Sequence, residues 1–145
     1  MSGANGLVSR CNVETRRVRR WKHHPKAVGL ARSELRAALV DWGLTQIEDQ
    51  ALIVLSELVT NAVKHAHTSP GREIETSFCR GTCGVRIAVD DADETPPRIR
   101  TGGATSGRGL ILVAEMADRW GVRPRRGIGK SVWAVVTIPG SEGWL

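Results

Sequence analysis

Val28, Ala31, Leu35, Leu39 and Trp42 recur at spacings of three and four, the signature of a helix with one apolar stripe. Pro25 suits the first turn of that helix and Gly43 its end. A second stripe follows in Ile47, Ala51, Leu55, Leu58 and Ala62, with Thr45 and Glu48 spaced as a capping box at its start. This helix is predicted to run to His65 or Ala66, before the turn at Pro70-Gly71. The rhythm then changes to a period of two. Ile74, Thr76 and Phe78 alternate with Glu73, Glu75 and Ser77; after Gly81 to Gly84, Val85, Ile87 and Val89 alternate with Arg86, Ala88 and Asp90. These read as two half-buried strands joined by a turn. Residues 92–106, with Pro96-Pro97 and Gly102-Gly103, read as a long loop. A loop of that length in a small domain is usually functional. A third helix is expected over 107–119, then a hairpin of residues 121–126 and 130–138 turning at Gly127-Ile128-Gly129.

Residues 14–22 alternate loosely and are expected to form a first edge strand, broken by His23-His24-Pro25. Residues 1–12 are small, polar and turn-rich and read as a disordered N-terminus. The order β-α-α-β-β-α-β-β predicts an α+β fold, a two-layer sandwich in which helices cover one face of a mostly antiparallel sheet. One domain over 13–140 is expected from a chain of 145 residues.

Composition changes this picture little. Hydrophobic residues make up 41 %, enough for a core, yet the most apolar segments, 51–59 and 110–114, are far shorter than the ~20 residues that span a bilayer. Residues 1–12 carry no hydrophobic leader segment, so a cytoplasmic location is expected. Cys11, Cys79 and Cys83 are an odd count and read as reduced thiols, although Cys79 and Cys83 flank a turn across which they could meet. The net charge of +6 is concentrated at Arg16-Arg17-Val18-Arg19-Arg20-Trp21-Lys22 and Arg123-Pro124-Arg125-Arg126. Such clusters can attract nucleic acid or an acidic protein, but arginines spread along edge strands also keep a sheet soluble. No recognition helix accompanies them, which argues against nucleic acid.

The chemistry is concentrated in Glu57-Leu58-Val59-Thr60-Asn61-Ala62-Val63-Lys64-His65. Glu57, Asn61 and His65 stand at i, i+4 and i+8, along one line of the helix beside its apolar stripe. A carboxylate that can take a proton and a carboxamide offering a hard oxygen suit Mg²⁺-nucleotide chemistry. Two further segments follow, Val85 to Asp91 and Gly107-Arg108-Gly109-Leu110-Ile111-Leu112-Val113.

In this order and spacing the three segments resemble the N box and the two glycine boxes of the GHKL ATPase superfamily, which includes histidine kinases, chaperones, type II topoisomerases and anti-sigma-factor serine/threonine kinases. Ala117-Asp118-Arg119-Trp120-Gly121-Val122 and Gly129-Lys130-Ser131-Val132-Trp133 extend the resemblance, which covers about residues 20 to 139 and is nearest to the small ATP-binding regulators of the actinobacterial type. The resemblance implies the Bergerat ATP-binding fold, with ATP and Mg²⁺ as cofactors. By the same resemblance Asn61 would hold Mg²⁺, Glu57 would be the catalytic base that takes a proton from a partner's serine or threonine hydroxyl, and His65 would lie near the phosphates. An aspartate at a strand end would accept a hydrogen bond from the adenine amino group. Asp90 and Asp91 are both candidates, and alternation selects Asp91, in phase with Val85, Ile87 and Val89. Relatives often place glycine after this aspartate, where this chain has Ala92. Gly107, Arg108 and Gly109 would cradle phosphate at the start of the third helix, with Thr105, Ser106 and Leu110 beside them. Ser131 is a further phosphate candidate, and an ordinary strand serine on the bland reading.

The function this implies is a Mg²⁺-ATP-dependent serine/threonine kinase that phosphorylates a STAS-type anti-sigma antagonist and sequesters a sigma factor, with a homodimer expected. A catalytically silent nucleotide- or partner-binding module is the alternative. Retention of Glu57 favours the kinase, because a pure binder needs no base. Trp42, Trp120 and Trp133 are expected on core faces or element ends, and Trp21 on a surface presented to a partner.

Overall fold

The computed structural model describes residues 15–65, 73–92, 109–125 and 129–141. The elements follow the expected order. Strand β1 (Arg16–Lys22) leads to α1 (Lys26–Asp41), then to a short 3₁₀ turn (Thr45–Ile47) that continues into α2 (Glu48–His65). After these come β2 (Glu73–Arg80), β3 (Gly84–Asp91), α3 (Gly109–Met116), β4 (Arg119–Pro124) and β5 (Lys130–Thr137). The five strands form one sheet in the order β1-β2-β3-β5-β4, with every pair antiparallel. The α+β sandwich read from the sequence is the fold observed.

Alternation sorts the sheet into two faces. Ile74, Thr76, Phe78, Val85, Ile87 and Val89 are each at most 1 % exposed and lie under the helices. On β5 the same face carries Val132, Ala134 and Val136, cross-strand partners of Val89, Ile87 and Val85. Helix α2 supplies Ala51, Val54, Leu55, Leu58, Val59 and Ala62 to this core, and α1 supplies Ala31, Leu35 and Leu39. Burying each large apolar side chain is worth roughly 1.5–3 kcal/mol, so this interface holds the two layers together. Helix α2 packs on β3 and β5 and against both α1 and α3.

The end of α1 shows how a local signal becomes geometry. Gly43 adopts φ 69°, Leu44 donates its N–H to Leu39 O at 2.8 Å, and Gly43 donates to Val40 O at 3.2 Å. This paired pattern around a left-handed glycine is a Schellman motif, and it also buries Leu44 beside Leu39.

Several expectations are corrected. Thr45 opens the 3₁₀ turn, with Leu44 at the cap position making no side-chain cap hydrogen bond, while Glu48 faces Arg36 at 3.8 Å. The third helix ends at Met116, not at Arg119, because Asp118 N–H is taken by Val135 O (2.8 Å) and Arg119 already pairs with β5. Trp21 does not face outward; its Nε1 donates to Thr76 Oγ1 at 2.8 Å and its ring packs on the main core. Trp133 lies on the other face of the sheet, with buried Cys79 and Val135, under the Arg86 guanidinium at 5.5 Å. Cys79 and Cys83 are not disulfide-bonded. The proposed disordered segment 1–12 lies outside the described residues.

Candidate functional site

Helix α2 brings two flanks to its apolar stripe. On one flank Ser56 accepts a hydrogen bond from Arg32 of α1 at 2.6 Å, so α1 occupies that side. Glu57 lies about 100° further round, and Asn61 about 40° beyond Glu57, on the flank turned away from α1. Both are half-buried, and among the described residues neither side chain has a hydrogen-bond or ion-pair partner. Lys64 is exposed, as a solvated lysine should be. His65 closes the helix, and its side chain lies outside the described residues.

Strand pairing shows which end of the sheet this part of α2 covers. Lys22 is opposite Glu73, Glu75 is opposite Asp90, and Asp91 is opposite Lys130. The end of β1, the start of β2, the end of β3 and the start of β5 therefore share one edge of the sheet. His23 directly follows β1, and its Nε2 lies 3.1 Å from Ala62 O on α2. The last turns of α2, with Asn61, thus lie at the end of the sheet that carries Asp91.

Asp91 is in the helix-facing phase that alternation selects, and is 2 % exposed. Its Oδ1 accepts a hydrogen bond from Lys130 Nζ at 3.0 Å. Lys130 is itself 8 % exposed. A buried carboxylate is tolerated when a cation and hydrogen bonds compensate its lost hydration, and this cross-strand lysine supplies both. Gly129 makes the approach possible. It has φ 107°, and a Cβ there would fall 1.9 Å from Asp91 O. Only glycine lets the β4–β5 turn lie against the backbone of Asp91 and deliver the next residue, Lys130, beside its carboxylate.

The adjacent residue is placed differently. Asp90 points to the other face, with Arg125 Nε at 3.9 Å. Burial raises its pKa above the ordinary 3.8; the Ser131 hydroxyl and the Arg125 charge pull it down, and Glu75 pushes it up. Ser131 is the cross-strand partner of Asp90 on the face opposite the helices.

The remaining predicted residues divide. Gly109 is the first residue of α3 and Leu110, one residue on, is buried at 4 %. Thr105, Ser106, Gly107 and Arg108 lie outside the described residues. Lys130 was missed by sequence reasoning. The available signal was its phase: it alternates with Val132, Ala134 and Val136, so a lysine stands in the apolar register.

Three of the basic residues on β1 are paired within the chain. Arg17 pairs with Asp41 and Glu34, Arg19 with Glu34 at 3.4 Å, and Arg20 with Glu75 at 3.3 Å. Arg17 also lies over the Trp42 ring at 5.5 Å. These contacts tie the edge strand to α1 and β2. Among the described residues no helix is long and apolar enough to cross a membrane.

Among the described residues no cluster of three or more His, Cys, Asp or Glu could hold a metal by itself. The donor set fits Mg²⁺ only in the way this ion usually binds proteins, through one or two side-chain oxygens together with substrate phosphates. The Asn61 carboxamide is such an oxygen. A buried acceptor at a strand end suits the amino edge of a base, and the unpartnered line of Glu57 and Asn61 suits the polar end of a nucleotide.

No curated protein matches the sequence. Residues 21–136 match the histidine kinase-like ATPase domain. That span runs from Trp21 on β1 to Val136 on β5 and includes all three helices. With the sheet order, the polar flank of α2 and the strand-end aspartate in place, the chain belongs to the family of histidine kinase-like ATPase domains, which bind ATP.

Proposed function

We propose that the protein is a Mg²⁺-ATP-dependent serine/threonine protein kinase of the anti-sigma-factor type. In this reading it works in the cytoplasm as a homodimer, phosphorylates a STAS-type antagonist protein and sequesters a sigma factor. The observation that carries the catalytic part is the pairing of Glu57 with Asn61. They stand one turn apart, half-buried and without a protein partner among the described residues, at the Asp91 end of the sheet.

Each residue has one task. Asp91 accepts a hydrogen bond from the base and fixes its orientation. Asn61 would hold Mg²⁺ through its side-chain oxygen, and that ion would supply the charge that offsets the phosphates. Glu57 accepts the proton of the serine or threonine hydroxyl on the antagonist. The hydroxyl oxygen forms a bond to the γ-phosphorus, the bond from that phosphorus to the β,γ-bridging oxygen breaks, and ADP leaves. In this reading Gly107 to Gly109 would cradle the phosphates, with Thr105, Ser106 and His65 as further candidates for contact.

The test is transfer of label from γ-labelled ATP to STAS-type antagonist proteins, run beside an ATP-binding titration. Glu57→Ala is expected to lower transfer by roughly 10²- to 10⁴-fold, the usual contribution of a general base, with ATP affinity retained. Full transfer by Glu57→Ala would show that Glu57 is not the base. ATP binding by the unaltered protein without transfer to any antagonist would make it a silent binding module.

A further inference from the structure

Strand β4 lies at an edge of the sheet and is paired with β5 on one side only. Among the described residues no strand pairs with its other side, so half of its N–H and C=O groups face outward. The segment from Arg119 to Arg123 carries a symmetrical pattern along that edge. Arg119, Gly121 and Arg123 are opposite Val135, Trp133 and Ser131, on the face away from the helices. Both arginines are exposed, and among the described residues neither has an ion-pair or side-chain hydrogen-bond partner. Gly121 makes room for the indole of Trp133, since a Cβ there would fall 2.9 Å from Cζ2. That face of β4 therefore presents an aromatic ring between two cations. On the helix-facing side Trp120 packs on the core and Val122 is 41 % exposed.

The opposite edge strand is different. On β1, Arg17, Arg19 and Arg20 are paired with Glu34, Asp41 and Glu75. The charges on β4 are left for something else. An exposed edge accepts a further strand, whose side chains then stand opposite those of β4 one for one. Opposite Arg119 and Arg123 an acidic residue is favoured and a basic one disfavoured. Opposite Trp120, the covered Gly121 and Val122, apolar residues are favoured. A second copy of β4 fails this requirement. Paired antiparallel about Gly121, it sets Arg119 against Arg123 twice; paired parallel in register, it brings each arginine beside its own kind. Nucleic acid would be drawn to the arginines, but it has no row of N–H and C=O groups to match a strand edge.

We propose that the free edge of β4 is a docking site for an extended segment of an acidic partner protein. The segment reads acidic, apolar, apolar, apolar, acidic, and adds to the sheet beside β4 with its carboxylates on Arg119 and Arg123. This surface does not depend on the reading of the chain as a kinase.

The test measures binding of fluorescein-labelled synthetic peptides to the full chain by fluorescence polarisation. One peptide carries Glu-Val-Leu-Val-Glu, and one carries Lys-Val-Leu-Val-Lys. Two more are the glutamate peptide N-methylated on one or the other set of alternate amides. The unaltered protein is expected to bind the glutamate peptide, and the lysine peptide roughly 10-fold or more weakly. N-methylation is expected to abolish binding on one set and to be tolerated on the other, because alternate amides of an added strand point toward β4. The double variant Arg119→Glu with Arg123→Glu, at two exposed positions, is expected to prefer the lysine peptide. No binding of the glutamate peptide up to about 1 mM, equal binding of the two charged peptides, or equal effects of the two N-methylations would overturn the proposal. A single-stranded oligonucleotide that binds more tightly than the glutamate peptide and is lost in the double variant would assign the arginines to phosphate instead. A dimer in sedimentation that the double variant abolishes would give the edge to a second copy and overturn the proposal too. If circular dichroism shows the double variant unfolded, the four peptides on the unaltered protein decide alone.

Discussion

Asp90 and Asp91 are neighbours in sequence, yet the pleat sends them into two different chemistries. Asp91 enters the layer between sheet and helices and meets Lys130 at 3.0 Å. Asp90 turns to the opposite face, where its nearest cation, Arg125, stands at 3.9 Å and a like charge, Glu75, sits directly across the strand. A carboxylate with a close, buried cation can carry its charge inside a protein. One that is buried with a looser partner is pushed toward the neutral form, as Asp90 is. The same residue type is therefore a held acceptor on one face and a strained charge on the other, and period-two geometry decides which.

The comparison is broken most severely by removing one member of the Asp91–Lys130 pair. Asp91→Asn or Lys130→Met removes the close partner of a buried charge and should cost about 3–5 kcal/mol in denaturant unfolding. The double variant Asp91→Leu with Lys130→Met should recover most of that loss. If each single variant unfolds like the unaltered protein, the pair is not buried as described. Gly129→Ala attacks the same pair through the backbone. Its Cβ would meet Asp91 O, and its φ of 107° disfavours any side chain, so a loss of about 2–3 kcal/mol is expected. The same substitution at Gly43, where the added atom meets nothing within 4 Å, isolates the contribution of positive φ alone.

The smallest effect is expected on the other face. Because the folded pKa of Asp90 lies above its ordinary 3.8, the folded state binds this proton more tightly than the unfolded state. The contribution of Asp90 to stability is then fully present below pH 3.8 and is lost as pH rises through the higher folded value. Asp90→Asn should accordingly be slightly more stable than the unaltered protein at neutral pH. The difference should close as pH falls toward 3.8. A variant less stable at neutral pH would mean that Arg125 and Ser131 outweigh the loss of hydration.

Much of this contrast was legible in the chain. The stripe from Ile47 to Ala62 and the alternation in β2 and β3 each use a single local period, and both are found as written. Alternation also separated Asp91 from Asp90 without any knowledge of the fold. Lys130 was not legible in the same way. Its partner is 39 residues away in sequence, and the register that brings the two together is set by a pairing that local periodicity does not encode. Trp21 was misjudged for a related reason. Trp21 was assigned by its place on an edge strand, but the face of that strand depends on pairing with β2. Ser131 is one residue out of phase with the helix-facing positions, and its partnership with Asp90 follows from β3–β5 register. Thr45 and Glu48 had the spacing of a capping box, but Arg36 on the neighbouring helix draws Glu48 instead.

The most direct test of the central claim is calorimetric titration of ATP, with Mg²⁺, into the unaltered protein, Asp90→Asn and Asp91→Asn, each checked for native fold by circular dichroism. The account predicts that Asp90→Asn binds ATP like the unaltered protein and that Asp91→Asn, where folded, loses binding by 10-fold or more, as a missing charge-assisted hydrogen bond requires. Loss of binding in Asp90→Asn, or full binding in Asp91→Asn, would contradict it and move the base-reading site to the other face of the sheet or away from this strand end altogether.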